Sequence, residues 1–294
     1  MKLIFLTGSS GFVGISVLKY FGTDNVLKYR RGDDCNFDSA SSIIHLAGKA
    51  HDLKKTSNPA DYYQINTELT KKVFDAFLDS EAKVFITLSS VKAVADQVHG
   101  ELTEEHIPSP TTHYGKSKLL AENYILSKKI PFGKRVYILR PCMIHGPGNK
   151  GNLNLLYKIV SKNIPWPLGA FANKRSFCSI ENLLFTIKEL IERVDIPSGI
   201  YNVADDEPIS TNELICLIAQ SQNRKPKLLR ISKGLIEFLA AIGETLHLPL
   251  NTERLQKLTS SYVVSNAKIK AAIGKFLPIS SRDGLLKTFK SFNS

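Results

Sequence analysis

The first fourteen residues constrain the fold more than any other stretch. Lys2-Leu-Ile-Phe-Leu6 is a short, continuously apolar run, as expected of a strand buried on both faces of a parallel sheet. Thr7-Gly8-Ser9-Ser10-Gly11-Phe12-Val13-Gly14 follows at once and leads into a helical pattern over residues 15–21. Glycines at 8, 11 and 14 permit a tight turn, a close approach of backbone to a phosphate group and close packing of helix on strand. The helix start adds free N–H groups that favour an anion. Strand, glycine turn and helix in that order are the context in which such a triplet carries meaning.

The chain continues in the same rhythm. Residues 25–30 read as a second strand, and Cys35-Asn36-Phe37 as a short third one. Ser42-Ile-Ile-His-Leu-Ala47 is a fourth, followed by Gly48, whose small size lets backbone pass close to a ligand; Ala82-Lys-Val-Phe-Ile-Thr-Leu88 is a fifth, ending in Ser89-Ser90. His45, inside an apolar strand, reads as a packed core histidine. Residues 59–78 are helical by periodicity, with Asn66 placed to hold a water or to satisfy buried backbone. The expected class is α/β: a Rossmann-type doubly wound parallel sheet, with a smaller mixed α/β C-terminal substrate lobe. At the end of the second strand an acidic residue would suit a ribose 2′-hydroxyl and an arginine a 2′-phosphate. Tyr29-Arg30-Arg31 stands there, which favours NADP(H), with NAD(H) as the alternative.

Tyr114-Gly115-Lys116-Ser117-Lys118 opens a helical pattern that runs to about residue 127. Tyrosine and lysine four apart share one helix face, and an ammonium beside a phenol favours the phenolate. A phenol so tuned exchanges protons with a sugar hydroxyl or ketone. Ser90 ends a parallel strand on the edge where ligands bind in open α/β sheets, so hydroxyl, phenol and ammonium can converge.

The chain carries 39 Lys+Arg against 27 Asp+Glu, a net +12. The basic residues are dispersed, the densest group being Asn223-Arg224-Lys225-Pro226-Lys227. That argues against a nucleic-acid-binding face and for anionic small ligands with a generally basic surface. Cys35, Cys142, Cys178 and Cys216 form no paired motif, which fits a reducing cytoplasm and neither disulfides nor zinc. The N-terminal apolar run is too short for a signal segment. The most apolar later segment, 234–250, is interrupted by Glu237, Glu244 and Pro249, so it reads as a half-buried helix of the second lobe and not as a membrane span.

Taken together, Thr7-Gly-x-x-Gly-x-x-Gly14, His45-Leu-Ala-Gly48, Asn66-x-x-x-Thr70, Ser89-Ser90 and Tyr114-Gly-x-Ser-Lys118 resemble an extended short-chain dehydrogenase/reductase. More narrowly, the chain resembles the NAD-dependent epimerase/dehydratase family acting on nucleotide sugars. The resemblance implies a catalytic set of Tyr114, Lys118 and Ser90. It implies cofactor contacts from Gly8, Ser10, Gly11, Phe12, Val13, Gly14, Arg30, Arg31, Asn36, Phe37, Leu46, Ala47, Gly48, Ser89 and Pro141, besides Tyr114 and Lys118. It places residues 1–150, with 177–203 returning, in a dinucleotide-binding domain, and 151–294 mainly in a substrate lobe. Lys150-Gly151-Asn152 and Asn173-Lys174-Arg175-Ser176-Phe177 resemble a subgroup handling UDP-linked amino sugars, in which Asn152 and Arg175 hold the diphosphate beside Ser90 at the sugar. His145 and Met143 depart from the tyrosine and asparagine usual beside the nicotinamide. Val91-Lys92 replaces the acidic pair of dehydratases, which disfavours dehydration.

The expected activity is NADPH-dependent reduction of the C4 ketone of a UDP-4-keto-6-deoxy-N-acetylhexosamine. The alternatives are a UDP-hexose 4-epimerase with retained NAD, or a non-catalytic NADP-binding regulator. A homodimer is implied by the family.

Overall fold

The computed structural model describes residues 3–29, 32–33, 37, 39–49, 58–149, 151–245 and 251–292. Among the described residues, ten strands and eleven α-helices alternate through most of the chain. The central sheet takes β1 (Leu3–Thr7), β2 (Val26–Lys28), β3 (Ala40–His45), β4 (Val84–Leu88), β6 (Arg135–Pro141) and β9 (Gly199–Val203). Its spatial order is β2-β1-β3-β4-β6-β9, with every pairing parallel. The order reverses direction between β1 and β3, and that switch point opens a crevice at the carboxyl ends of the strands.

The runs expected as fourth and fifth strands are β3 and β4. The expected third strand lies outside the described residues except for Phe37, whose ring packs edge-on against Phe5 at 4.5 Å and belongs to the core.

Helices cover both faces. α1 (Phe12–Phe21) packs beside α6 (Ile180–Glu192) on one side. On the other lie α2 (Pro59–Tyr62), a π-helical segment over Tyr63–Glu68, α3 (Leu69–Asp79) and α4 (His113–Leu126). Two buried apolar clusters follow from this layering. One joins Ile4, Leu6, Ile44 and Ile86 to Leu183 and Ile187; the other joins Ile43, Phe85 and Ile138 to Phe74 and Phe77.

The remaining strands form two small parallel pairs. β5 (Glu101–Leu102) pairs with β10 (Val263–Val264), and β7 (Met143–His145) with β8 (Phe177–Ser179). Around a third core of Trp166, Phe177, Leu214 and Phe289 gather α5 (Asn152–Ser161), α7 (Thr211–Ser221), α8 (Lys233–Thr245), α9 (Thr252–Thr259) and α11 (Ser281–Lys290), while α10 (Ala267–Ile273) packs against β9. Ser210 caps α7 by accepting from the Glu213 N–H, and the Glu213 carboxylate accepts from the Ser210 N–H, which completes a capping box.

His145, in place of the usual tyrosine, serves this packing. It is buried, with Nδ1 2.9 Å from Thr288 Oγ1 and Nε2 3.4 Å from Asp205 Oδ2. Asp205 in turn accepts from the Ser179 N–H and the Asn182 amide, which ties the C-terminal α11 to β7, β8 and α6.

Candidate active site

Gly8 has φ +71°, and a Cβ on it would stand 2.7 Å from the Ala47 nitrogen. A Cβ on Gly14 would stand 2.2 Å from the Gly8 carbonyl oxygen. Both positions therefore require glycine, one for the turn and one for helix packed on loop. The Gly11 N-cap has no side-chain hydrogen bond and the first turn of α1 carries no acidic residue, which leaves its N–H end open to a phosphate. This cradle fits a dinucleotide pyrophosphate. Ser10 and Gly11 are exposed at its rim, while Phe12 and Val13 pack on the core.

Across the crevice, Thr7 Oγ1 accepts from the Leu46 and Ala47 N–H groups at 3.1 and 3.0 Å. It sits 2.8 Å from His45 Nδ1, and His45 Nε2 sits 2.9 Å from Thr70 Oγ1. Thr70 already donates to the Asn66 carbonyl, so His45 carries its proton on Nε2 and accepts at Nδ1. Burial first, and the Lys118 charge second, push His45 down to about 3. It is a neutral brace between β1, β3 and the helical layer. Asn66 pins the next loop: its Oδ1 accepts from the Lys49 N–H at 2.7 Å, and its amide donates to the Lys49 carbonyl and to Ser117 Oγ. It satisfies buried backbone, the second of its two expected roles.

At the end of β4, Ser89 donates its N–H to Leu139 and buries an Oγ that has no partner among the described residues. Ser90 is buried, and its Oγ accepts from the Lys92 N–H as it caps a short 3₁₀ turn over Val91–Ala93. The Tyr114 phenol lies close enough to the same hydroxyl for Ser90 to act on its titration. Tyr114 reaches it from the first turn of α4, which Thr112 caps by accepting from the Gly115 N–H at 3.1 Å. Tyr62 meets the Tyr114 ring edge-on at 6.3 Å.

The electrostatics differ from the simple expectation of an ammonium favouring a phenolate. Burial pushes the Tyr114 phenol above its ordinary value, opposed by Ser90 and reinforced by Tyr62. Lys118 donates to the Leu88 carbonyl at 2.8 Å, and burial lowers it to about 8 against the pull of Glu122. Desolvation is the largest influence at both groups. A Cβ on Gly48 would lie 3.1 Å from Lys118 Nζ and 3.0 Å from Asn66 Oδ1, so this glycine leaves open the space above the ammonium.

Three features of the site have no local signal in the sequence. A Cβ on Gly115 would approach the Lys92 carbonyl oxygen to 2.3 Å, so this glycine sets how closely the Tyr114 helix meets the Ser90 turn. Glu122, two turns along α4, forms a buried bidentate pair with Arg140 on β6, at 3.0 Å from Nε and 2.5 Å from Nη2. Lys92 donates to the Asp96 carbonyl at 2.8 Å and lies 4.2 Å over the Tyr262 ring. Burial lowers Lys92 to about 8, with Asp96 raising it and Arg175 lowering it further.

Arg175 bridges through its backbone to Ile209 and Tyr262. Its guanidinium, lowered by burial, has no ion pair among the described residues. Lys92 and Arg175 are thus neighbouring cations. Pro141 ends β6 on the same sheet edge. Arg30, Arg31 and Asn36 lie outside the described residues. Asn152 begins α5, and its side chain also lies outside them.

A glycine turn at a parallel-sheet switch point, with serine, tyrosine and lysine at the adjoining strand ends, defines a dinucleotide-dependent oxidoreductase class of protein. The model of the NAD dependent epimerase/dehydratase family matches residues 4–204, and the chain belongs to that family of nucleotide-sugar enzymes. It is 27% identical to a UDP-glucose 4-epimerase of Vibrio cholerae, over 99% of this chain and 95% of that protein. It is 28% identical to an N-acetyl-alpha-D-glucosaminyl-diphospho-ditrans,octacis-undecaprenol 4-epimerase of Escherichia coli O157:H7, over 76% of this chain and 73% of that one. The fold resembles the crystal structure of a UDP-N-acetylglucosamine 4-epimerase from Bacillus cereus, with a TM-score of 0.76, 18% identity and 99% of each chain covered.

Proposed function

We propose that the chain interconverts hydroxyl and ketone at C4 of a hexose carried on a diphosphate, with Tyr114 moving the proton on the C4 oxygen. The observation that carries this reading is the Ser90–Tyr114 contact at the sheet edge facing the Gly8–Gly14 cradle. When bound, the nicotinamide supplies or takes up the hydride at C4. Tyr114 as the phenol, the form that burial favours, donates its proton to the C4 oxygen during reduction and becomes the phenolate; in the oxidation direction that phenolate takes the proton back from the C4 hydroxyl. Ser90 orients that oxygen by hydrogen bond. Lys118, beside Gly48, holds the nicotinamide ribose. Arg175, Asn152 and Lys92 bring donors to the substrate's anionic linkage.

The carboxylate pair that dehydration uses is replaced by Val91-Lys92, which supports transfer without loss of water. In this reading residues 1–150 with 177–203 bind the dinucleotide, and the later residues cover the sugar. Two copies pair through α3 and α4, where Leu120 and Leu126 leave apolar surface exposed. The free thiols of Cys142, Cys178 and Cys216 suit the cytoplasm.

The two relatives support 4-epimerisation, with the cofactor retained and the keto sugar turned between two hydride transfers. A second reading is NADPH-dependent reduction of a UDP-4-keto-6-deoxy-N-acetylhexosamine, favoured by Arg30 and Arg31. Mass spectrometry of the co-purifying nucleotide, with NMR of the sugar products, separates the two. Interconversion of UDP-N-acetylhexosamines without added cofactor supports the first. Stoichiometric consumption of NADPH with the 4-keto sugar supports the second. No change in either sugar would contradict both.

A further inference from the structure

Exposed apolar side chains on this surface stand mostly in ones and twos, as they do on most proteins. Helix α8 differs. Leu235, Phe238, Leu239 and Ile242 are 50%, 62%, 45% and 38% exposed, the largest such group on any one helix among the described residues. Their spacing of three, four and seven places them within an arc of about 100°. Ile236 and Ala240, on a neighbouring arc, are buried in the core with Trp166, so α8 is anchored on one side and apolar on another. Glu237 and Glu244 fall on the far side from the exposed stripe by the same spacing.

The exposed charges of the segment before α8 are of one sign. Arg224, Lys225, Lys227 and Arg230 lead into α8, and all four are exposed. A second copy of the chain would fit the stripe poorly, because a two-fold interface would set these cations against their own copies. A convex apolar stripe entered from a cationic segment, with its carboxylates turned away, instead matches the interface of an anionic bilayer. No helix among the described residues is long and apolar enough to cross a membrane, so the contact is one of lying on the surface.

We infer that α8 is a membrane-docking helix, seating Leu235, Phe238, Leu239 and Ile242 among the acyl chains of an anionic lipid surface while the basic approach segment binds the headgroups. The catalytic reading is not needed for this inference, since the stripe shares no residue with the site.

Co-sedimentation with vesicles tests it, using equal parts phosphatidylcholine and phosphatidylglycerol against phosphatidylcholine alone. The full chain should pellet with the anionic vesicles, and about tenfold less with the neutral ones or in molar salt. Leu235→Glu/Phe238→Glu should cut pelleting on anionic vesicles about tenfold with the melting temperature unchanged, since both side chains already face water. Should that variant fail to fold, Lys227→Glu/Arg230→Glu gives the same test from the charge side. Failure of the wild-type chain to bind anionic vesicles, or binding indifferent to both pairs, would overturn the inference. So would a self-association that Phe238→Glu dissolves in the absence of any vesicle binding, which would make a second copy the occupant.

Discussion

Gly115 and Lys92 stand so close that no side chain fits between them: a Cβ on the glycine would lie 2.3 Å from the lysine carbonyl oxygen. The contact brings the first turn of α4 down onto the turn that follows β4, and so brings the Tyr114 phenol to the Ser90 hydroxyl. Gly115→Ala should push the two apart. Overpacking of this kind costs about 1–3 kcal/mol, and the loss of activity should exceed what the lower melting temperature explains. Turnover and thermal unfolding measured on one preparation check this; an alanine variant with wild-type turnover would contradict it.

The Glu122–Arg140 pair should matter more for stability than a surface pair does. Both side chains are buried, so removing one partner leaves the other charged without its counterion. Arg140→Met or Glu122→Gln should each cost about 3–5 kcal/mol, measurable as a shift in denaturant midpoint. The double variant should recover part of that loss, and simple addition of the two losses would refute the pairing argument.

His45 gives the fold an acid-sensitive brace. Burial holds it neutral down to about 3, whereas in the unfolded chain it takes up a proton near its ordinary 6.5. Between those values the unfolded state binds more protons, so stability from this group is present above 6.5 and is lost as the pH falls. His45→Asn should be less stable at neutral pH, with a shallower decline of melting temperature from pH 6.5 to 4. Parallel declines in variant and wild type would show that another group carries the acid sensitivity.

Lys92, lowered to about 8, should make nucleotide binding sensitive to mildly alkaline pH. Arg175 keeps its charge throughout, and Asp96 remains ionised. Affinity for UDP, followed by calorimetry, should therefore weaken about tenfold as the pH rises through 8. Lys92→Met should be weak at every pH and lose the slope; an unchanged slope in that variant would assign it elsewhere.

Much of the architecture was legible in one dimension, because its signals are local. The apolar run before Gly8, the glycine spacing and the Tyr114–Lys118 spacing are each set within a few residues. What escaped was long-range. The pairing of β5 with β10 joins residues 101–102 to 263–264. Nothing near Glu122 or Arg140 in sequence announces that they meet.

The charge states also escaped, because they follow from burial. An ammonium four residues from a phenol looked like the dominant influence, yet desolvation raises Tyr114 and lowers Lys118. In the sequence Lys92 stands only where dehydratases carry an acid, whereas the fold turns it toward Tyr262 and Arg175.

The account rests on Tyr114 as the group that moves a proton at C4. Its most direct test is Tyr114→Phe, assayed for C4 conversion of the sugar that the wild-type chain turns over, with nicotinamide nucleotide binding measured by fluorescence on the same protein. Activity should fall by about 10²–10⁴, while cofactor affinity stays within about threefold of wild type. A phenylalanine variant that keeps wild-type turnover would contradict the assignment.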